Sequence, residues 1–212
     1  MFKNKQIQKK YIRRAKFASH TLLLTPFIRL VGLNGSLTRG EAKKTSDIDF
    51  FVVCKQGRIW TCRIFVILII QLLGIRRHGN KIAGRICLNR YQTDDYLVIF
   101  PHDDYHATTF SKLWALINID KTYEKYLQKN QWMEKMRYGL KKNEKYLQKN
   151  VIFSVIRYFG EMILSGGLGN IIEKKLGDYQ KRRILGDIRT RNAPKGRIRV
   201  SDKELCFHPP KK

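Results

Sequence analysis

The chain has 212 residues, 43% hydrophobic and 11% aromatic, which is enough to bury one core and excludes a disordered chain. Its 43 Lys+Arg against 17 Asp+Glu give a formal charge of +26, which attracts polyanions and leaves nucleotides, nucleic acids and anionic membranes as partner classes. Cys54, Cys62, Cys87 and Cys206 form no C-x-x-C pair, which argues against structural zinc or a disulfide scaffold and for reduced thiols in a cytoplasmic protein.

The N-terminal MFKNKQIQKKYIRRAKF is basic but has no apolar core segment, so no secretory signal is expected. Ile7, Tyr11, Ile12, Ala15, Ala18 and Leu22 recur near a 3.6 period and predict a basic helix over 4–22, ended by Pro26. Strand-like runs follow at 28–34 and 48–53. The stretch at about 58–76 reads as an apolar helix, stopped near Gly74 and the cluster Arg76-Arg77-His78-Gly79. Within it only Ile64 to Ile70 is uninterrupted, against the ~20 residues a membrane helix needs. A buried helix beside a sheet is therefore predicted, with no stable membrane insertion. RICLNRY (85–91) and YLVIF (96–100) are rich in strand formers, so the first half reads as a small α/β unit.

From about residue 104 the pattern turns helical. Phe110, Leu113, Trp114 and Ile117 make one stripe; Tyr123, Tyr126 and Leu127 make another, after an expected cap at Asp120. EKYLQKN occurs at 124–130 and again at 144–150, too few copies for a solenoid. Helices at 151–164 and 168–185 flank Ser165-Gly166-Gly167, and RIRVSDKELCF (197–207) reads as a hairpin. The expected organisation is a first domain over 1–103, a helical region over 104–185 and a basic tail over 186–212. The basic segments 1–16 and 181–199 are candidate polyanion contacts. The cluster His102-Asp103-Asp104-Tyr105-His106 holds possible metal ligands, but an exposed loop opening a helix is the commoner outcome.

The chemistry concentrates in LVGLNGSLTRGEAKKTSDIDFFVV (30–53). On a strand, Asp47 and Asp49 project from one face while Ile48 points the other way. Two same-face carboxylates repel unless a cation lies between them, and hard dications such as Mg²⁺ favour carboxylate oxygens together with substrate phosphates. Gly35 lets backbone N–H groups approach a phosphate, Ser36 can cap the following turn, and Arg39 lies within reach of phosphate or carboxylate. A solvated hairpin would also accommodate these residues, each taken separately.

This segment resembles the signature of the DNA polymerase β-like nucleotidyltransferase superfamily: hydrophobic-Gly-Ser, a short spacer, then Asp-hydrophobic-Asp. Ten residues, Leu37 to Ser46, separate Ser36 from Asp47. The fuller string GSLTRGEAKKTSDID is similar to the pattern of the minimal nucleotidyltransferases, with Arg39, Gly40, Ala42 and Ser46 matching and Thr38 in place of an alanine. The resemblance implies an α/β (α+β) fold with a small mixed sheet flanked by helices. It also implies transfer of a nucleoside monophosphate from an NTP such as ATP to an acceptor hydroxyl, with Mg²⁺ or Mn²⁺ on Asp47 and Asp49 and the phosphates on Gly35 and Ser36. A third carboxylate on a later strand would deprotonate the acceptor. Here the natural third strand offers Asn89, which cannot act as a base; Asp94 or Asp95 would serve only if that strand is longer or bulged. The C-L-N strand is also similar to an uncharacterised bacterial branch of nucleotidyltransferase-domain proteins. Two alternatives to an enzyme follow: a degenerate nucleotide- or RNA-binding regulator, and an antitoxin-like partner of a helical HEPN protein.

Overall fold

A computed structural model describes residues 2–140, 142–194 and 196–207. The chain runs α1 (Phe2–Leu22), β1 (Ile28–Asn34), β2 (Ile48–Cys54), α2 (Ile59–Leu72), β3 (Ile86–Thr93), α3 (Asp104–Phe110) and β4 (Trp114–Asn118). It continues through α4 (Thr122–Lys129), α5 (Trp132–Lys135), α6 (Val151–Leu164), α7 (Gly167–Gly186), α8 (Ile188–Arg191), β5 (Ile198–Val200) and β6 (Glu204–Phe207). The strands form one mixed sheet in the order β4-β1-β2-β3-β6-β5. Only β2 and β3 run parallel, as a strand–helix–strand crossover through α2 requires. The other pairs are antiparallel.

Both faces of the sheet are covered, so alternate residues of β2 feed two cores. Ile48, Phe50, Val52 and Cys54 join α1 and α2 in the larger core, where Tyr11, Ala15, Ala18 and Leu22 form the inner stripe of α1. Phe51 and Val53 face Phe110, Tyr123, Tyr126 and Met133 on the other side. Asp49 lies on this second face, at the N-terminal end of β2. The expected buried helix is α2, with Ile59, Trp60, Cys62, Val66 and Ile70 inside. No single helix among the described residues is long and apolar enough to cross a membrane.

Several local expectations are overturned by long-range pairing. YLVIF is an irregular segment, not a strand, because β6 takes the edge of β3 that it would have needed. Its backbone is satisfied by side chains instead: Asn130 accepts from the Ile99 N–H at 2.8 Å and donates to the Leu97 carbonyl at 2.9 Å, while Gln92 donates to Val98. The helical stripe through Trp114 and Ile117 breaks after Phe110, and Trp114–Asn118 becomes the edge strand beside β1. Asp120 is no helix cap; it has φ 55°, and its carboxylate pairs with the buried Arg29 at 3.1 Å. The two copies of EKYLQKN differ as well. The first supplies α4 and buries Tyr126, whereas the second runs non-helically along β4, where the Gln148 N–H donates to Leu116 at 2.8 Å. The single sheet thus draws strands from the N-terminal half, from 114–118 and from the basic tail.

Candidate active site

The site is built where the β1–β2 turn meets the start of β3. Gly35 follows β1 with φ +76°, a left-handed conformation, and a Cβ there would stand 2.4 Å from Asp49 Oδ2. Backbone torsion and crowding both require glycine at this position. The turn is held from within: Thr38 donates to the Gly35 carbonyl at 3.1 Å and the Glu41 N–H to the Ser36 carbonyl at 2.9 Å. Leu37 and Ala42 anchor it in the larger core. Beyond it, Ser46 accepts the Lys43 N–H at 2.9 Å, and the Ile48 N–H donates to Arg85 at 2.8 Å, which ties the entry of β2 to the segment before β3.

Asp47 and Asp49 share one face, as alternation demands, and Cys87 joins them. One ligand atom from each of the three lies within 4.8 Å of the others. In the parallel register Asp49 stands opposite Cys87, and in the antiparallel one opposite Asn34. Asn89 donates from Nδ2 to Asp49 Oδ1 at 3.0 Å. Arg77 donates to Asp47 Oδ2 at 2.5 Å and lies 3.4 Å from the Cys87 sulfur. Burial, then the neighbouring Asp47 charge, pushes the Asp49 carboxyl up to about 7, with Arg77 opposing. Burial and the two carboxylates also push the Cys87 thiol well up.

Two further polar atoms on β1 and β3 are unpartnered among the described residues. The buried carbonyl oxygens Asn34 Oδ1 and Asn89 Oδ1 accept no hydrogen bond from the described residues. The two carboxylates and the thiol form a donor set that fits a divalent cation. Arg77 supplies part of the charge that balances the carboxylates.

Gly35, Ser36, Asp47, Asp49 and Asn89 are therefore brought together. Arg39 sits on the same turn and donates to Glu41 at 2.8 Å. Asp94 and Asp95 are not brought in. The Asp94 N–H donates to Cys54 at the far end of β2, five residues or about 16 Å from Asp49. There Asp94 accepts from the Gln56 N–H and Asp95 pairs with Lys203. His102 stacks on Trp132 with centroids 4.2 Å apart, and Asp103 caps α3 through the His106 N–H, so that cluster opens a helix. Cys87, Arg77 and Asn34 were not identified from sequence. Alternation from Asn89 would have found Cys87; Arg77 and Asn34 needed the register.

Compared with known proteins, the chain matches the family model described as "Nucleotidyltransferase domain" over residues 20–185. No curated protein and no solved structure matches it.

Proposed function

The chain belongs to the nucleotidyltransferase domain family, and we propose on that premise that it moves a nucleoside monophosphate from an NTP to an acceptor hydroxyl, releasing pyrophosphate. The observation that carries this reading is the Asp47–Asp49 pair beside the Gly35 turn. Asp47 and Asp49, with Cys87 beside them, would hold Mg²⁺ or Mn²⁺. When bound, the cation neutralises charge on the phosphates and favours in-line attack at the α-phosphorus. Gly35 and Ser36 receive the terminal phosphates, because a glycine turn lets backbone N–H groups approach an anion without a side chain between. Arg39, on the same turn, adds positive charge toward them.

A second reading rests on a specific feature. Among the described residues, Cys87 and Asn89 occupy the place where a third carboxylate would act as base, and Asn89 is engaged with Asp49. This favours a protein that binds nucleotide, and RNA through its basic surface, without turnover. Incubation with each α-labelled NTP, Mg²⁺ or Mn²⁺ and cell lysate tests the proposal. Label transferred to an acceptor, and lost in Asp47→Asn/Asp49→Asn, supports the enzyme. Metal-dependent thermal stabilisation by NTP without transfer supports the second reading, and absence of both refutes nucleotide binding.

A further inference from the structure

Helix α6 sits on the body with Phe153 and Leu164 against the core and an ion-pair network beside them. Glu161 accepts the Phe27 N–H at 2.9 Å, holds the Arg29 guanidinium through two bonds of 3.0 Å and receives Arg157 at 2.8 Å. Gly160 is pressed against Pro26, where an added Cβ would meet the ring at 2.9 Å. The opposite arc carries Val151, Ile152, Ile156, Phe159, Met162 and Ile163, each 50% or more exposed. At 100° per residue these six cover about 140° of the helix surface without a charge among them. An ordinary surface helix keeps its outer side polar; here the outer side is apolar too. A continuous exposed apolar face of this kind marks an interaction surface.

Charge decides what covers it. The chain carries +26, which opposes pairing with a second copy and draws the protein to an anionic surface. Lys149, Lys174 and Lys175, close in sequence to the arc, are exposed, as are Leu168 and Ile171 past the 91° bend into α7. At 14 residues α6 is about 21 Å long, short of the ~30 Å hydrocarbon layer, and α7 turns away from it by 91° and does not extend it into a straight span, so α6 fits along a bilayer surface. A groove of about 590 Å³ under the same face, lined by Leu23, Ile117, Val155, Tyr158 and Phe159 among others, gives apolar space for an acyl chain.

We infer that the outer face of α6 seats this protein on an anionic lipid bilayer, its apolar arc at the headgroup–acyl boundary and its lysines on the lipid phosphates. The inference does not depend on the reaction proposed above.

The test is co-sedimentation of the full chain with vesicles of phosphatidylglycerol and phosphatidylcholine, compared with phosphatidylcholine alone. Ile152→Asp/Ile163→Asp alters two outward positions that do not line the groove, and circular dichroism melts check its fold. Gln128→Glu/Gln131→Glu makes the same change in net charge away from α6. Wild type and the glutamate control are expected to pellet with the anionic vesicles, and the aspartate variant to partition about a hundredfold more weakly. Equal binding by all three would overturn the inference, since charge alone would then suffice. So would a wild-type dimer that binds no vesicles and is dissolved by the aspartate variant, which would make a second copy the occupant. A monomer that ignores the vesicles would overturn it as well.

Discussion

Replacing Asp49 by Asn keeps the shape of the side chain and removes the charge that its surroundings oppose. In the folded protein this carboxyl is pushed from 3.8 up to about 7, chiefly by burial and then by Asp47. The folded value exceeds the unfolded one, so the native state holds the extra proton between roughly pH 4 and pH 7. Stability carried by protonated Asp49 is full below about pH 4 and is lost as pH rises through about 7. About three units at 1.36 kcal/mol each set an upper limit of about 4 kcal/mol, which partial solvent access reduces to about 2–3 kcal/mol. Urea denaturation without metal should therefore find Asp49→Asn close to wild type near pH 4 and increasingly more stable as pH rises, reaching that margin at pH 8. Added Mg²⁺ and NTP should close most of this gap. Wild type gains about 2.7 kcal/mol at a hundredfold excess of ligand over its dissociation constant, and the variant far less, because the carboxylate no longer compensates the cation. Parallel pH profiles for the two proteins would refute the burial argument; equal gains from Mg·NTP would refute the metal role.

Gly35→Ala should cost about 1–3 kcal/mol in chemical denaturation, since alanine resists φ +76° and its methyl would crowd Asp49 Oδ2; it should also blunt the Mg·NTP effect, and an unchanged midpoint would count against the strained turn. Glu204→Gln should cost about 3–5 kcal/mol by leaving the fully buried Arg90 without its carboxylate at 2.6 Å. Although burial opposes it, Arg199 and Arg90 hold the Glu204 carboxyl below its usual value, so this penalty is present above about pH 4.5 and shrinks as pH falls through the depressed folded value. A loss under about 1 kcal/mol at pH 7 would show that Arg90 is compensated elsewhere. RNA binding should weaken steeply between about 50 and 200 mM salt, as released counterions require; a flat filter-binding profile would remove the electrostatic reading of the basic surface.

The sequence alone determined the parts of this protein that depend on neighbours along the chain. The Gly35 turn, the alternation that puts Asp47 and Asp49 on one face, and the first strands and helices all follow from torsion preferences and periodicity within a few residues. Those rules hold wherever the segment ends up in space. They did not reach decisions made by competition between distant segments. Trp114–Asn118 has a helical stripe but becomes a strand because β1 offers it an open edge. YLVIF has strand composition but finds its edge of β3 already taken by β6. Identical EKYLQKN segments adopt different backbones because one packs Tyr126 into a core and the other lies along β4. The site divides in the same way. Its glycine and aspartates were legible, whereas Cys87, Asn34 and Arg77 meet them only through the register of three strands, which also leaves Asp94 and Asp95 at the wrong end of the sheet. Tertiary structure also chose which side of α6 faces outward. Apolar periodicity says that a helix has two faces, but the side of α6 that the body keeps is the one where Glu161 meets Arg29 and where Phe153 and Leu164 reach the core, contacts set by residues far away in the chain.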